Sequence, residues 1–314
     1  MKHGLQAVML ADSVPVCHVT KQASYEARLV TMEVTYWRGV HAEHLRHRMF
    51  AFSVASSRAI PTRRMLQQVL WHPYCPESFG RLIPGMQSGE PLGPVAQWVC
   101  RRAWLLARWP VLAVVLLLLL LKVHKQWCNR LLEPWLWVTC IVTGGIGAWE
   151  GFWALRCHKD AEPHIRRMAE MTRDLVSSST PRKLTVGQAH CPMVFEKDRD
   201  TEPDFAWDQD FRMMVSAGRC AAVSYNNHGT GADVVKDHLR AWKMKSASPP
   251  HMSPFEHQAL VAPFAGGVRM MADCWQWGCG NLPRGWIQHR KMVENNNVRA
   301  TLTTLIDYAE KKDD

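Results

Sequence analysis

From Ala27 to Trp37 the chain alternates. Val30, Met32, Val34 and Tyr36 fall on one side, and Thr31, Glu33 and Thr35 on the other. A period of two sends successive side chains to opposite faces, so this run predicts a strand buried on one face. It leads into His41 to Met49, which reads as a helix start or turn. Pro61 and the proline- and glycine-rich stretch from Pro73 to Pro94 predict a long loop. Asn129 to Val142 is apolar and aromatic until Gly144, Gly145 and Gly147 break it. Glycines before a helix can cradle a phosphate, although this spacing fits no dinucleotide fingerprint. Trp149 to Leu155 restarts a helix that ends on Arg156. In Pro163 to Val176, Ile165, Met168, Thr172 and Leu175 share a face while Arg166, Arg167 and Arg173 point away, the pattern of an amphipathic helix. Asp233 to Lys243 reads as a further helix.

One segment obeys neither period. Ala103 to Leu121 is almost wholly apolar and ends in six leucines, Leu116 to Leu121. A bilayer span needs about 20 such residues. Arg108 and Pro110 interrupt this one, leaving Val111 to Leu121, which suits a buried or interfacial helix better than a span. Lys122, His124 and Lys125 close it as cations close a helix C-terminus.

With 314 residues, 47% of them hydrophobic, the chain can bury a large core, and the expectation is a single domain. A net charge of +10 points to anionic partners without choosing among nucleotides, nucleic acid and an acidic membrane face. Met1 to Ala11 lacks the apolar core of a secretory leader. The ten scattered cysteines therefore read as reduced thiols in a cytoplasmic protein. Cys274 and Cys279 lie near His251, His257 and His289 in sequence, but a second pair at ligand spacing is missing, so no metal is expected.

Between His44 and Pro76 stand Arg46, Arg48, Arg58, Arg63 and Arg64, with no Asp or Glu among them. Guanidinium forks match phosphate oxygens, and the hydroxyls of Ser56 and Ser57 add neutral donors. Spacing alone leaves two readings open, a site for a phosphorylated ligand and a solvated basic face.

Four separate pieces resemble the flavin-dependent thymidylate synthase family. Arg46, His47, Arg48, Ser56 and Arg58 fall on its R-H-R-x-x-S-x-N-E-x-S-x-R-Y motif. His251, Ser253, Pro254, Phe255, Glu256 and His257 follow its H-x-[TS]-P-F-E-H piece. Ala221 to Tyr225 is similar to its A-R-V-S-[YF] piece, and Phe152 to Arg156 to its F-x-x-L-R helix end. In the short members the serine and Pro-Phe-Glu-His pieces precede the arginine motif. Here they follow it, as in the longer branch seen in phages and some bacteria. Departures are Ala51, Ser53, Val54 and Ala59 within the arginine motif, Ala222 in the serine piece, and Gly151 and Glu162 around the helix end.

The resemblance implies an α+β fold, an antiparallel or mixed sheet flanked by helices, in one large domain that forms an obligate homo-oligomer. Residues 1–195 would carry the arginine motif and 211–292 the Ser224 and Pro-Phe-Glu-His pieces. A linker at 196–210 would join them, and 301–314 would form a charged tail. It also implies reductive methylation of dUMP to dTMP, with methylenetetrahydrofolate as carbon donor and NADPH as reductant through FAD. Arg156 would polarise the uracil ring. Ser56, Arg58 and Arg130 would hold the dUMP phosphate together with Arg156. Arg46, His47, Arg48, Ser224, His251, Ser253, Glu256 and His257 would bind FAD. Family members are homotetramers with sites between subunits, which would also cover the Val111 to Leu121 helix. On this reading neither nucleic acid nor a membrane is a partner. The rival readings are a catalytically decayed relative that binds flavin and nucleotide only, a basic nucleic-acid-binding protein, and a membrane-associated protein.

Overall fold

A computed structural model describes residues 2–17, 20–195, 198, 207–225, 233–262 and 280–294. The alternating run forms β2 (Leu29–Trp37) near the centre of a five-stranded sheet with β1 (Gln6–Pro15), β3 (Ala51–Val54), β4 (Trp137–Gly145) and β5 (Arg182–Leu184). The order is β3-β4-β2-β1-β5, antiparallel except where β5 pairs with β1. A second, three-stranded sheet joins β6 (Ala189–His190), β7 (Ala259–Val261) and β8 (Trp286–Gln288), and was not foreseen. The helices are α1 (His41–His44), α2 (Thr62–Trp71), α3 (Pro94–Leu106), α4 (Arg108–Leu120), α5 (Lys125–Leu131), α6 (Ile146–Arg156), α7 (Pro163–Ser178), α8 (Gln209–Ala222), α9 (Val234–Lys245) and α10 (His289–Glu294). The class is α+β, a mixed sheet flanked by helices.

The main core lies on the apolar side of β2 and β4. Val30, Met32, Val34 and Tyr36 meet Val138, Cys140 and Val142, and Trp149, Phe152, Ile165 and Met168 of α6 and α7 close over them. The other side is equally dry, which corrects the half-buried strand read from the alternation: Thr31, Glu33 and Thr35 are all buried. The register sets Thr31 opposite Thr143 and Thr35 opposite Thr139, and each pair shares a hydroxyl hydrogen bond, of 2.7 and 3.0 Å. A polar face can be buried when its groups satisfy one another.

Two of the three glycines around the start of α6 serve close packing. A Cβ on Gly144 would lie 2.4 Å from the Phe50 ring, and one on Gly145 would lie 2.9 Å from Pro283. The expected linker is shortened, because Asp208 caps α8 by accepting from the Phe211 N–H. From the other side, β6 precedes residue 195 yet pairs with β7, so the two sequence halves interlock. The remainder of that linker apart from Asp198 and Trp207, together with Met270, Met271, Cys274, Trp275, Trp277, Cys279 and the 301–314 tail, falls outside the described residues.

Candidate functional site

Strand β3 is only four residues long and connects two turns that carry the candidate chemistry. Before it, α1 unwinds into a turn bearing Arg46, His47 and Arg48. After it, Ser56 to Ile60 forms a second turn. A four-residue strand advances about 13 Å, so the turns sit at opposite ends of one short rod.

At the first turn, residues remote in sequence meet. Arg156, the last residue of α6, donates from Nε to Nε2 of His47 at 3.1 Å. Its Nη1 donates to Glu43 Oε2 at 3.1 Å and its Nη2 to the Glu43 carbonyl at 3.4 Å. An arginine carries five N–H donors, so this leaves some unused while the plane of the guanidinium is fixed. For Nε2 of His47 to accept, the ring must be neutral with its proton on Nδ1. Burial, and then the Arg156 cation, hold the His47 pKa below its ordinary value, in keeping with that state. The ring also stands edge-on to Phe152, 4.8 Å away. Arg46 and Arg48 are exposed on the same turn, and among the described residues neither has an acidic partner. Glu43 went unnoticed in the sequence because its partner is 113 residues away.

The second turn is tied from three directions. The Ser56 N–H donates to the Ser224 carbonyl at 3.0 Å, which brings the end of α8 against it. Buried Asn129 donates to the carbonyls of Ser57 at 2.6 Å and Ile60 at 2.9 Å, and Lys125 donates to that of Ala59 at 2.9 Å. The Arg58 side chain is left exposed. Arg130 of α5 is exposed too, its guanidinium over the Trp127 ring at 5.4 Å. Asn129 is a positioning residue that its sequence context, the start of an apolar run, does not announce.

The Pro-Phe-Glu-His piece is placed differently from expectation. His257 is fully buried and lines no opening. Its Nδ1 pairs with Thr143 Oγ1 at 2.8 Å and its Nε2 with Ser53 Oγ at 2.9 Å. Thr143 bonds Thr31, whose hydroxyl meets His190 Nε2 at 2.9 Å, and His190 Nδ1 meets Ser13 Oγ at 2.9 Å. A continuous buried polar chain thus crosses four strands. Burial pushes both histidines down to about 3, so both rings are neutral. Glu256 is ion-paired with Arg290, and His251 and Ser253 are exposed on the same segment. The His257–Ser53 bond sets this piece against β3, the strand that joins the two arginine turns, and among the described residues no hydrogen bond or ion pair links it to Arg46, His47, Arg48, Ser56 or Arg58. A cavity of about 460 Å³ lies elsewhere, bordered by α8, α9 and α10, and none of the expected site residues lines it. Among the described residues no cluster of His, Cys, Asp or Glu could hold a metal ion.

Two of the departures acquire structural roles. Glu162 caps α7, accepting from the N–H groups of His164 at 2.8 Å and Ile165 at 2.9 Å. Ala222 ends a helix whose arginine sits one turn earlier. Arg219 is buried and bonds Asp198 at 2.7 Å, Asp237 at 2.8 Å and the Met193 carbonyl at 2.5 Å, a paired internal charge rather than a ligand contact.

The α+β domain thus presents one fixed guanidinium and two exposed ones at the first turn, and exposed ones at the second. Residues 20–182, a little over half the chain, match the family described as thymidylate synthase complementing protein. The chain belongs to that family and is a thymidylate synthase-like methyltransferase. The matched region holds both arginine turns, Arg130 and Arg156, and stops short of Ser224 and the Pro-Phe-Glu-His piece. Among solved structures, the chain is similar to a UMP/dUMP methylase, PolB from Streptomyces cacaoi, bound with 5-Br UMP. The two are 14% identical over 56% of this chain and 90% of that one, with a TM-score of 0.46. The same methylase bound with 5-Br dUMP gives 14% identity over 56% and 91%, with a TM-score of 0.45. None of the curated proteins matches.

Proposed function

We propose that this protein catalyses the reductive methylation of dUMP to dTMP, with methylenetetrahydrofolate as carbon donor and NADPH as reductant through FAD. The observation that carries the reading is the meeting of Arg156 with His47, 109 residues apart, inside the region that matches the family. Arg156 stands as a fixed cation at a partly open surface, suited to stabilise charge pushed onto a uracil ring as its C5 becomes nucleophilic. Glu43 and His47 hold it there. Ser56 and Arg58, with Arg130, offer a hydroxyl and two exposed cations to a phosphate.

The residues present fit an anionic dinucleotide cofactor at the first turn, where Arg46 and Arg48 are exposed with no carboxylate partner among the described residues. Bound there, FAD would supply the hydride chemistry, and the protein would bind, orient and polarise. The separation of the turns by β3 supports a site completed by another copy, as in a homotetramer. A cytoplasmic location agrees with these soluble substrates.

A second reading has its own observation. Where the family carries Asn-Glu, this chain has Ser53 and Val54, and the Ser53 hydroxyl is committed to His257. Loss of those polar groups suits a relative that binds flavin and nucleotide without turnover. Purified protein is expected to carry a flavin absorption spectrum that dUMP perturbs, and to rescue a thymidine-requiring bacterium. A colourless protein that ignores added FAD would overturn the main reading. Flavin binding without rescue would select the second. Arg58→Ala is expected to raise the dUMP requirement about tenfold or more, for a lost charged hydrogen bond, and to leave the folate requirement unchanged in steady-state kinetics. Equal effects on both would remove Arg58 from the phosphate site.

A further inference from the structure

The long apolar segment leaves a continuous hydrophobic surface exposed. Helices α3 and α4 join through Ala107 into one 27-residue rod, Pro94–Leu120, and only 11% of its most apolar stretch is buried. One side rests on the core through Leu112 and Val115, with Trp104, Val111, Leu118 and Leu119 partly covered. Helical spacing aligns Val95, Trp98, Val99, Leu106, Trp109, Leu116, Leu117 and Leu120 along the opposite side. All eight are exposed, Leu120 by 80%. At 1.5 Å per residue the stripe is about 38 Å long.

The charges around it have one sign. Arg101, Arg102, Arg108 and Lys122 accompany the stripe, and from Pro91 to Leu132 there is no Asp or Glu. Among the described residues none of these four cations has an acidic partner. Two of the arginines lie over tryptophans: Arg102 over Trp98 at 5.5 Å and Arg108 over Trp109 at 5.2 Å. Tryptophan with an apolar body and arginine with a charged head is the pairing that settles at the headgroup level of a bilayer.

Two occupants could cover such a face, and the charge pattern chooses between them. A second copy docked through a two-fold axis would bring cations toward their own images, with no acidic side chain in the segment to answer them. An anionic lipid surface supplies the missing sign along the whole length and takes up the leucines at the same time. We infer that the Pro94–Leu120 rod lies in the plane of an anionic membrane surface and holds the protein there as an interfacial element. One flank stays packed on the domain, so the rod lies on the bilayer and does not cross it. The inference rests on this surface alone and not on the proposed reaction.

The test is flotation of the full chain with vesicles of phosphatidylcholine, alone or mixed with phosphatidylglycerol. The protein is expected to float with the mixed vesicles and to prefer them strongly over phosphatidylcholine. Leu117→Glu with Leu120→Glu changes two exposed positions and is expected to weaken flotation at least about tenfold. Arg101→Glu with Arg102→Glu is expected to remove the preference for the anionic vesicles and keeps the test decisive if the leucine variant fails to fold. Wild-type protein that stays behind with both vesicle types would overturn the inference. So would an oligomer, measured by sedimentation, that the leucine variant dissolves while wild type ignores vesicles, since that outcome assigns the stripe to a second copy.

Discussion

At the scale of single residues, Arg156 is defined by what holds it. A helix-terminal arginine is commonly a cap that satisfies its own carbonyls. This one instead reaches across to Glu43 and His47, and its side chain is 14% exposed. Replacing Glu43 by Gln keeps a hydrogen-bond acceptor and removes the charge that orients the guanidinium. Turnover of Glu43→Gln is expected to fall about tenfold or more, because small misplacements of a polarising group are costly in rate. Unfolding free energy should move by under about 1 kcal/mol, since the pair is partly exposed. Steady-state kinetics beside thermal unfolding separates the two, and unchanged turnover would remove Glu43 as a positioning residue. The arginine motif was legible because its residues are contiguous. Glu43 and Asn129 were not, because their partners lie far along the chain, and a single sequence records spacing and not contact.

At the scale of elements, the alternation in β2 was legible as polar against apolar but not as wet against dry. Thr31 and Thr143 look like solvent-facing residues until His190 and His257 arrive from the later part of the chain and close over them. The polar chain from Ser13 to Ser53 therefore does the work of a fastener between the sheet and the segments around β6 and β7. Thr143→Val removes the middle of it and leaves His257 Nδ1 and the Thr31 hydroxyl each short of a partner. Thr139→Val breaks one threonine pair and strands a single hydroxyl. Unsatisfied buried groups cost about 1–3 kcal/mol each. Thr143→Val is thus expected to be the more destabilising of the two by at least about 1 kcal/mol in denaturant titrations. Equal losses would show that the histidine links contribute nothing. The glycines at 144 and 145 illustrate the same limit. Their sequence suits a cradle, and only the neighbouring Phe50 and Pro283 reveal that close packing excludes a side chain.

At the scale of the whole molecule, the histidines set how the fold responds to acid. Burial lowers His41 and His164 to about 4, and His190, His257 and His289 to about 3, while His44, enclosed by Tyr36, Phe52 and Phe152, is pushed well below its ordinary value. Each is neutral when folded and titrates near 6.5 when unfolded. Below that pH the unfolded chain binds more protons than the folded one, so acid favours unfolding. The stability these groups contribute is complete above about pH 6.5 and is lost as pH falls toward their folded values, at about 1.4 kcal/mol per pH unit for each histidine. Down to about pH 5 the histidines act before most carboxylates, so their contribution can be read separately. The denaturant midpoint is expected to be flat from about pH 8 to 7 and to drop steeply from 6.5 to 5. A midpoint unchanged across that lower window would mean that these rings are not buried as neutral groups, and the packing of His190 and His257 beneath the sheet would have to be abandoned with them.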